Sequence, residues 1–361
     1  MEDKKLFHVD FILLFLVSLV CILGMFVVYS ASGMNSNVLI KHSVRVLAGV
    51  IAMLIIAQVS PVVLKRMSPR LYFLAFLLLV AVLFFGVVGK GAQRWLDLGF
   101  MRLQPSEIMK LAMPMMVAWW ITNYPLPVGF RQLIVSFIVV LVPSFLITLQ
   151  PDLGTALLIA GSGIVVIFLS GISWKLILFF AGSACAAVPT LFYFWLHDYQ
   201  RRRIMTLFDP WQDPLGDGYH TIQSMIAIGS GGLLGKGWIS GTQSQLDFLP
   251  ERHTDFIFSV FAEELGFIGF GLLLLLYLAI VFRGLSIAFN TRSIYSRLLA
   301  GSITMTFFFY VFVNIGMVAG ILPVVGVPLP LISYGGTSMV TLMVGFGMLM
   351  AIHSHRDIVA H

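Results

Sequence analysis

Ten stretches of this sequence are each long and apolar enough to cross a lipid bilayer, and that limits the fold more than any short motif. They run over about 9–30, 44–60, 71–88, 107–123, 131–149, 154–171, 175–196, 255–282, 298–322 and 334–353. A spanning helix takes about 20 mostly apolar residues. A membrane barrel would instead show short segments of alternating polarity. Only 11% of the residues are charged, against about 25% in soluble domains, which excludes a soluble globular protein and a disordered chain. The net charge of +6 is spread through apolar sequence, unlike the basic patch of a nucleic-acid binder. Cys21 and Cys185 lie inside apolar runs and form no disulfide framework or zinc spacing. The first run is too long for a cleaved leader and reads as an anchor. The expected fold is an all-α polytopic membrane protein, a single domain over 1–361. Pro114, Pro143, Pro189 and Pro323 are expected to kink or end helices.

Orientation follows from Lys and Arg, which favour the cytoplasmic side. With the N-terminus inside, each side carries eleven. The long segment 197–254 translocates regardless of charge, and setting aside Arg201, Arg202, Arg203, Lys236 and Arg252 leaves eleven against six. Both termini are therefore expected in the cytoplasm. The acids then gather outward: apart from Glu2, Asp3, Asp10 and Asp357, all of them lie in outer loops or outer halves of spans. Polar groups near a membrane are costly and mark working sites, so the site is expected on the outer face.

Five outward segments carry the chemistry. In 89–110, Arg94, Trp95, Asp97 and Arg102 precede a helix start at Pro105, where Glu107 and Lys110 stand i,i+3 on one face. Read blandly, Asp97 and Arg102 are interfacial charges. Asp152, in LQPDLGTA, is either a helix cap or the counter-charge of Lys110 or Arg94. The loop 197–254 is too long to be structureless. Its Arg201–Arg203 run suits an anion, and Ile222–Ile228 suggests a short interfacial helix. Gly235–Lys236 imitates a phosphate loop but lacks the following Ser or Thr. In LPERHTDFIFSVFAEELG, Asp255 stands at the mouth of a span beside Arg252 and His253. It is either an acid favoured by the helix dipole or a general base. On one continuous helix Glu263 and Glu264 would lie roughly 12–14 Å deeper, Glu263 about 80° around from Asp255. Finally, GILPVVGVPLPLISYGGTS is expected to form a re-entrant hairpin, with Ser333, Tyr334 and Gly335–Gly336 lining a cavity.

The segments GAQRWLDLG, QPSEIMKLA, QPDLGTA, HDYQRRR, DPLGDGYH, IGSGGLLGKGW, LPERHTDFIFSVFAEELG and LPLISYGG occur in this order. Together they resemble the SEDS family of bacterial cell-wall proteins over about residues 10–355. NIGMVAGILPVVGVPLPLISYGG is nearer to the family's elongation member than to its division member. The resemblance implies a ten-helix glycosyltransferase of the inner membrane that polymerises lipid II into glycan strands on the periplasmic face. Its implied partners are a class B penicillin-binding protein and the elongation machinery. It also implies Asp255 as the catalytic acid group, with Glu107, Lys110 and Asp152 as further sensitive positions and Arg201 and Arg203 matching a basic stretch.

The chemistry expected is removal of a proton from the acceptor 4-hydroxyl by Asp255. Arg94, Lys110, Arg201 and Arg203 would steady the departing lipid diphosphate. No carboxylate cluster calls for a resident metal, so a divalent ion, Mg or Mn, would enter bridged by the diphosphate. Two other readings compete. A lipid II flippase would use Glu263 and Glu264 along a path through the bilayer, and a scaffold would only hold a penicillin-binding protein.

Overall fold

The computed structural model describes residues 8–89, 92–97, 99, 102–172, 176, 178–179, 182–183, 186, 194, 198–216, 218–246 and 252–355. Nine of the ten expected spans coincide with helices: α1 (Phe11–Ala31), α2 (Ser36–Ala57), α3 (Pro61–Phe85), α4 (Pro105–Ile121), α5 (Phe130–Leu149), α6 (Leu153–Leu169), α10 (Ile257–Phe289), α11 (Ile294–Val318) and α12 (Thr337–Ser354). Seven of these are long and apolar enough to cross a membrane, while α4 and α6 have 17 residues each. The expected seventh span, 175–196, lies for the most part outside the described residues, as do Lys90, Cys185, Pro189 and Glu251. The chain is thus a mostly helical, multi-pass membrane protein.

Two expectations need correction. The chain is not wholly α: β1 (Val87–Gly89), β2 (Ala92–Asp97) and β3 (Arg102–Leu103) form an antiparallel sheet in the order β1-β2-β3. Nor is the eighth span one straight helix beginning at 255. Asp255 lies in a turn, α10 starts at Ile257, and Gly266 breaks it with φ 64° and ψ −162°. The angular relation of Asp255 to Glu263 on a continuous helix therefore does not apply.

The break in α10 would strand backbone groups inside the bundle, where each needs a partner. Residues 232–237 supply them. Phe267 and Ile268 donate N–H bonds to the carbonyls of Gly232 and Leu233, and the carbonyls of Glu263 and Glu264 accept from Lys236 and Gly237. Glu263 is fully buried and accepts from Lys236 Nζ at 2.7 Å, the Gln243 amide at 2.9 Å and Thr242 Oγ1 at 3.2 Å. Glu264 accepts from Ser30 Oγ on α1. Both glutamates thus clamp a loop and a neighbouring helix.

The described residues of the segment 197–254 are structured, as its length demands. It holds α7 (Asp198–Phe208), a 3-10 turn (Pro210–Gln212), α8 (Tyr219–Gly231) and the short α9 (Thr242–Gln245). α8 is not merely interfacial: it packs on α10 and α11, buries Ile222, Ser224 and Ala227, and donates from Ser224 Oγ to the Val318 carbonyl at 2.7 Å.

Residues 319–336 are irregular; Val327 and residues 329–333 are buried, and the rest of the segment is partly or fully exposed. Such backbone is stable at membrane depth only when protein encloses it. Tyr277 Oη donates to the Pro330 carbonyl at 2.7 Å, and Ser333 Oγ donates to Thr254 and accepts from the Leu329 amide. α1 lies against it at Gly24, where a β-carbon would stand 2.8 Å from the Leu331 carbonyl.

Candidate functional site

The irregular segment 319–336 is the surface on which the polar residues meet. Two bonds hold it to residues 253 and 254, and a third, from α11, holds Asp255. The Tyr334 amide donates to the His253 carbonyl at 2.9 Å, Ser333 Oγ to the Thr254 carbonyl at 2.7 Å, and Asn314 Nδ2 on α11 to the Asp255 carbonyl at 3.0 Å. Asn314 Nδ2 also reaches the Val327 carbonyl at 2.7 Å. The main chain at Asp255 is therefore fixed from two sides. Its carboxylate stands beside Gly326, where a β-carbon would be 3.5 Å from Oδ2. Rigid support of this kind is what a general base needs in order to meet a hydroxyl in one geometry.

Arg94 reaches the site from β2. Side chains alternate along a strand, so Arg94 shares the face of the buried Leu96. Its guanidinium donates to the Pro151 carbonyl at 2.6 Å and lies 3.4 Å from Asp152 Oδ2. Asp152 also caps α6, accepting from the Thr155 amide at 3.3 Å. Both readings of Asp152 therefore hold at once, with Arg94 as the cation it meets. Asp97 and Arg102 pair across strands β2 and β3 at 3.8 Å in an exposed position, which fits their bland reading.

A cavity beside this pair is lined by Arg94, Asp152, Arg203, Pro323, Val324 and Val325. Val325 adjoins Gly326, so the cavity opens one residue from the contact of Asp255. Gly154 allows the approach, since a β-carbon there would stand 2.7 Å from the Val325 carbonyl. Arg203 belongs to this cavity and Arg201 does not. Two residues on a helix point about 200° apart, so α7 cannot present both to one ligand.

Glu107 and Lys110 form the second element. Pro105 opens α4 and Glu107 sits in its first turn, where the helix dipole favours an anion. Lys110 Nζ donates to Glu107 Oε1 at 2.8 Å, with both side chains about nine-tenths buried. Lys110 also lies 5.2 Å from the ring centre of Tyr310. The pair faces a cavity shared with Thr306, Tyr310, Ser338 and Thr341. Glu107 Oε2 and Thr306 Oγ1, both on that cavity, are buried without partners. Such atoms are destabilising unless something completes them.

An apolar groove adjoins the Arg94 cavity. It runs between α6 and α11 past Leu157, Leu158, Gly161, Phe309 and Val313, and shares Gly154, Pro323 and Val325 with the cavity. Leu157 is 60% exposed, so the groove opens sideways out of the bundle. Sequence reading missed this groove, along with Tyr310, Asn314, His42 and Arg45. His42 and Arg45 lie on α2 beside Tyr334, with ring centres 6.0 Å apart for His42 and the guanidinium carbon 4.3 Å from the Tyr334 ring centre for Arg45.

A family model for cell cycle proteins, covering FtsW, RodA and SpoVE, matches residues 10–358. The chain is 50% identical over 362 residues to the peptidoglycan glycosyltransferase MrdB of Escherichia coli K12, covering 99% of this chain and 98% of that one. It is 35% identical to stage V sporulation protein E of Bacillus subtilis, covering 95% and 96%. Among solved structures, it resembles a chain of a peptidoglycan synthase complex that coordinates polymerization and crosslinking, with TM-score 0.84, 34% identity and coverage of 97% and 98%. It also resembles the rod shape determining protein RodA of Thermus thermophilus, with TM-score 0.74, 29% identity and coverage of 98% and 99%.

Proposed function

This chain belongs to the FtsW, RodA and SpoVE family of cell cycle proteins, and from that premise we propose how it works as a peptidoglycan glycosyltransferase, polymerising lipid II into glycan strands during elongation and rod-shape maintenance. The observation that carries the mechanism is the carboxylate of Asp255, on a main chain fixed by Asn314 and the 319–336 segment, next to a cavity lined by Arg94, Asp152 and Arg203.

The acceptor is the 4-hydroxyl of a lipid-linked disaccharide, and the donor is the anomeric carbon of a strand still joined to its lipid diphosphate. As the hydroxyl oxygen attacks, its proton passes to Asp255. The bond between the anomeric carbon and the diphosphate oxygen breaks, and the diphosphate leaves with the electron pair. Arg94, Arg203 and Lys110 stabilise the negative charge that grows there, in surroundings drier than bulk water. Asp152 holds Arg94 in place, and Glu107 holds Lys110. The groove between α6 and α11 receives the polyprenyl tail, which must stay in apolar surroundings while its head reaches the cations.

Among the described residues no three His, Cys, Asp or Glu side chains come together, and the steps above are assigned to side chains alone. A Mg or Mn ion would enter with the diphosphate, and its contribution is read from synthesis with and without EDTA. The reading further takes the protein to lie in the bacterial inner membrane with this site facing the periplasm. A class B penicillin-binding protein would crosslink the strands, in keeping with the likeness to a chain from a peptidoglycan synthase complex.

Purified protein supplied with lipid II should make glycan strands, and Asp255→Asn should abolish them while the protein remains folded. Strands from a folded Asp255→Asn protein would remove Asp255 from the role of base. Flipping finds less support, because Glu263 and Glu264 are engaged by Lys236, Thr242, Gln243 and Ser30.

A further inference from the structure

Arg45 lies nine residues into α2, about 14 Å along the helix axis from its outer end. A guanidinium at that depth is costly and marks a ligand path or a paired site. Among the described residues it has no carboxylate partner. Its contact is the face of Tyr334, 4.3 Å from guanidinium carbon to ring centre. His42 lies three residues earlier on the same helical face. It is fully buried, and neither of its ring nitrogens has a hydrogen-bond partner.

Tyr334 connects these residues to the reaction centre. Its amide bonds to His253, two residues before Asp255, and its ring packs edge-on to His253 at 5.7 Å. Tyr334 also stands just before α12, whose N-cap Gly336 makes no side-chain cap bond and would have no atom within 4 Å of a β-carbon. The uncapped N–H groups of such a first turn favour an anion. A cation, an unsatisfied buried imidazole and an uncapped helix start thus converge around one tyrosine.

We propose that Arg45, His42 and the first turn of α12 form a second anion site, which holds the diphosphate of the other lipid-linked substrate; the proposal rests on the polymerase reading above. Transfer between two lipid-linked sugars requires two diphosphates to be held at once, and Arg94, Arg203 and Lys110 account for one. The occupant is lipid-borne because Arg45 is flanked on α2 by the exposed apolar residues Val44 and Leu47. An anion arriving there comes with an apolar tail. Polyprenyl diphosphate and an anionic phospholipid share that chemistry, and the diphosphate is the better match to a fork-shaped guanidinium plus free backbone amides.

The test uses full-length protein carrying Asp255→Asn to halt turnover, in phosphatidylcholine nanodiscs. Undecaprenyl diphosphate binding is counted by native mass spectrometry, with phosphatidylglycerol as competitor. Two diphosphates per chain are expected. Arg45→Gln should weaken one site at least tenfold and leave the other unchanged, Arg94→Gln should do the converse, and Arg45→Lys should fall between. If Arg45→Gln does not yield folded protein, Arg45→Lys is read alone, and an unweakened site there counts against the proposal. Two full-affinity sites in Arg45→Gln, a single site in the parent protein, or equal displacement by phosphatidylglycerol would overturn it. Two sites, together with a failure of the protein carrying the native Asp255 to make strands from lipid II, would sink the polymerase reading and leave the anion site standing.

Discussion

Gly326 faces the carboxylate of Asp255 with a backbone φ of 72°, and a β-carbon there would stand 3.5 Å from Oδ2. The space admits a methyl group, but the backbone conformation does not favour one: the left-handed region costs an L-residue about 1–2 kcal/mol. Gly326→Ala should lower stability by about that amount. Strain introduced next to the base should lower kcat more than it raises KM for lipid II. Thermal melting in detergent together with steady-state strand synthesis checks both. Unchanged kcat in a measurably destabilised protein would show that the contact does not position Asp255.

The ion pair of Lys110 and Glu107 is nine-tenths buried, so the two residues should not behave independently. Lys110→Met leaves an uncompensated carboxylate and should cost about 3–5 kcal/mol. Adding Glu107→Leu removes the stranded charge and should recover most of that loss. Strand synthesis should stay absent in the double variant, because the cation is still missing. Recovery of synthesis along with stability would reduce the pair to a structural role.

Most helices of this bundle can be read from hydropathy because lipid-facing runs must be apolar over about 20 residues. The same logic misplaces α2 and α3, which begin at Ser36 and Pro61 rather than near 44 and 71. Lys41, His42 and Arg45 dilute the apolar signal in one, and Lys65, Arg66 and Arg70 in the other, although the helices continue through them. The break at Gly266 left no trace, since glycine is common in spanning helices. The three short strands have too few residues to show alternation. Asp255, Asp152, Glu107 and Lys110 were legible as candidate site residues because each is a charge at the mouth of an apolar run, and Arg94 because it stands in a polar segment between two such runs. Their grouping was not, because it depends on the path of 319–336, a segment whose prolines announce irregular backbone and no particular course.

Arg203 lines the Arg94 cavity and Arg201 does not. Arg203→Ala should therefore raise KM for lipid II by roughly tenfold, the size of a lost charge-assisted bond, while Arg201→Ala changes it little. Equal effects of the two would mean that α7 turns when substrate binds.

The groove between α6 and α11 can be filled without disturbing its walls, because a β-carbon at Gly161 meets nothing within 4 Å. Gly161→Leu should exclude about two methylenes of a polyprenyl tail, near 1.6 kcal/mol. KM for lipid II with a full-length tail should then rise more than tenfold, and a short-tailed analogue should be spared. If both substrates lose affinity alike, the tail lies elsewhere.

Glu263 distinguishes polymerisation from flipping most sharply. It is fully buried yet satisfied by Lys236, Thr242 and the Gln243 amide. A residue so committed is expected to hold the loop 232–246 into the break of α10 and to carry no proton across the bilayer. Glu263→Gln keeps the shape and removes the charge, so Lys236 loses its ion pair while neutral hydrogen bonds survive. Because Lys236 is partly exposed, with 26% of its side chain accessible, water compensates it and the cost should stay near 1–2 kcal/mol rather than the full penalty of a sealed charge. Melting should report that loss, and strand synthesis per folded molecule should remain within about twofold, an activation difference below 0.5 kcal/mol. Abolished synthesis in a well-folded Glu263→Gln protein, paired with lost movement of labelled lipid II across liposomes, would instead make this glutamate part of a transport path.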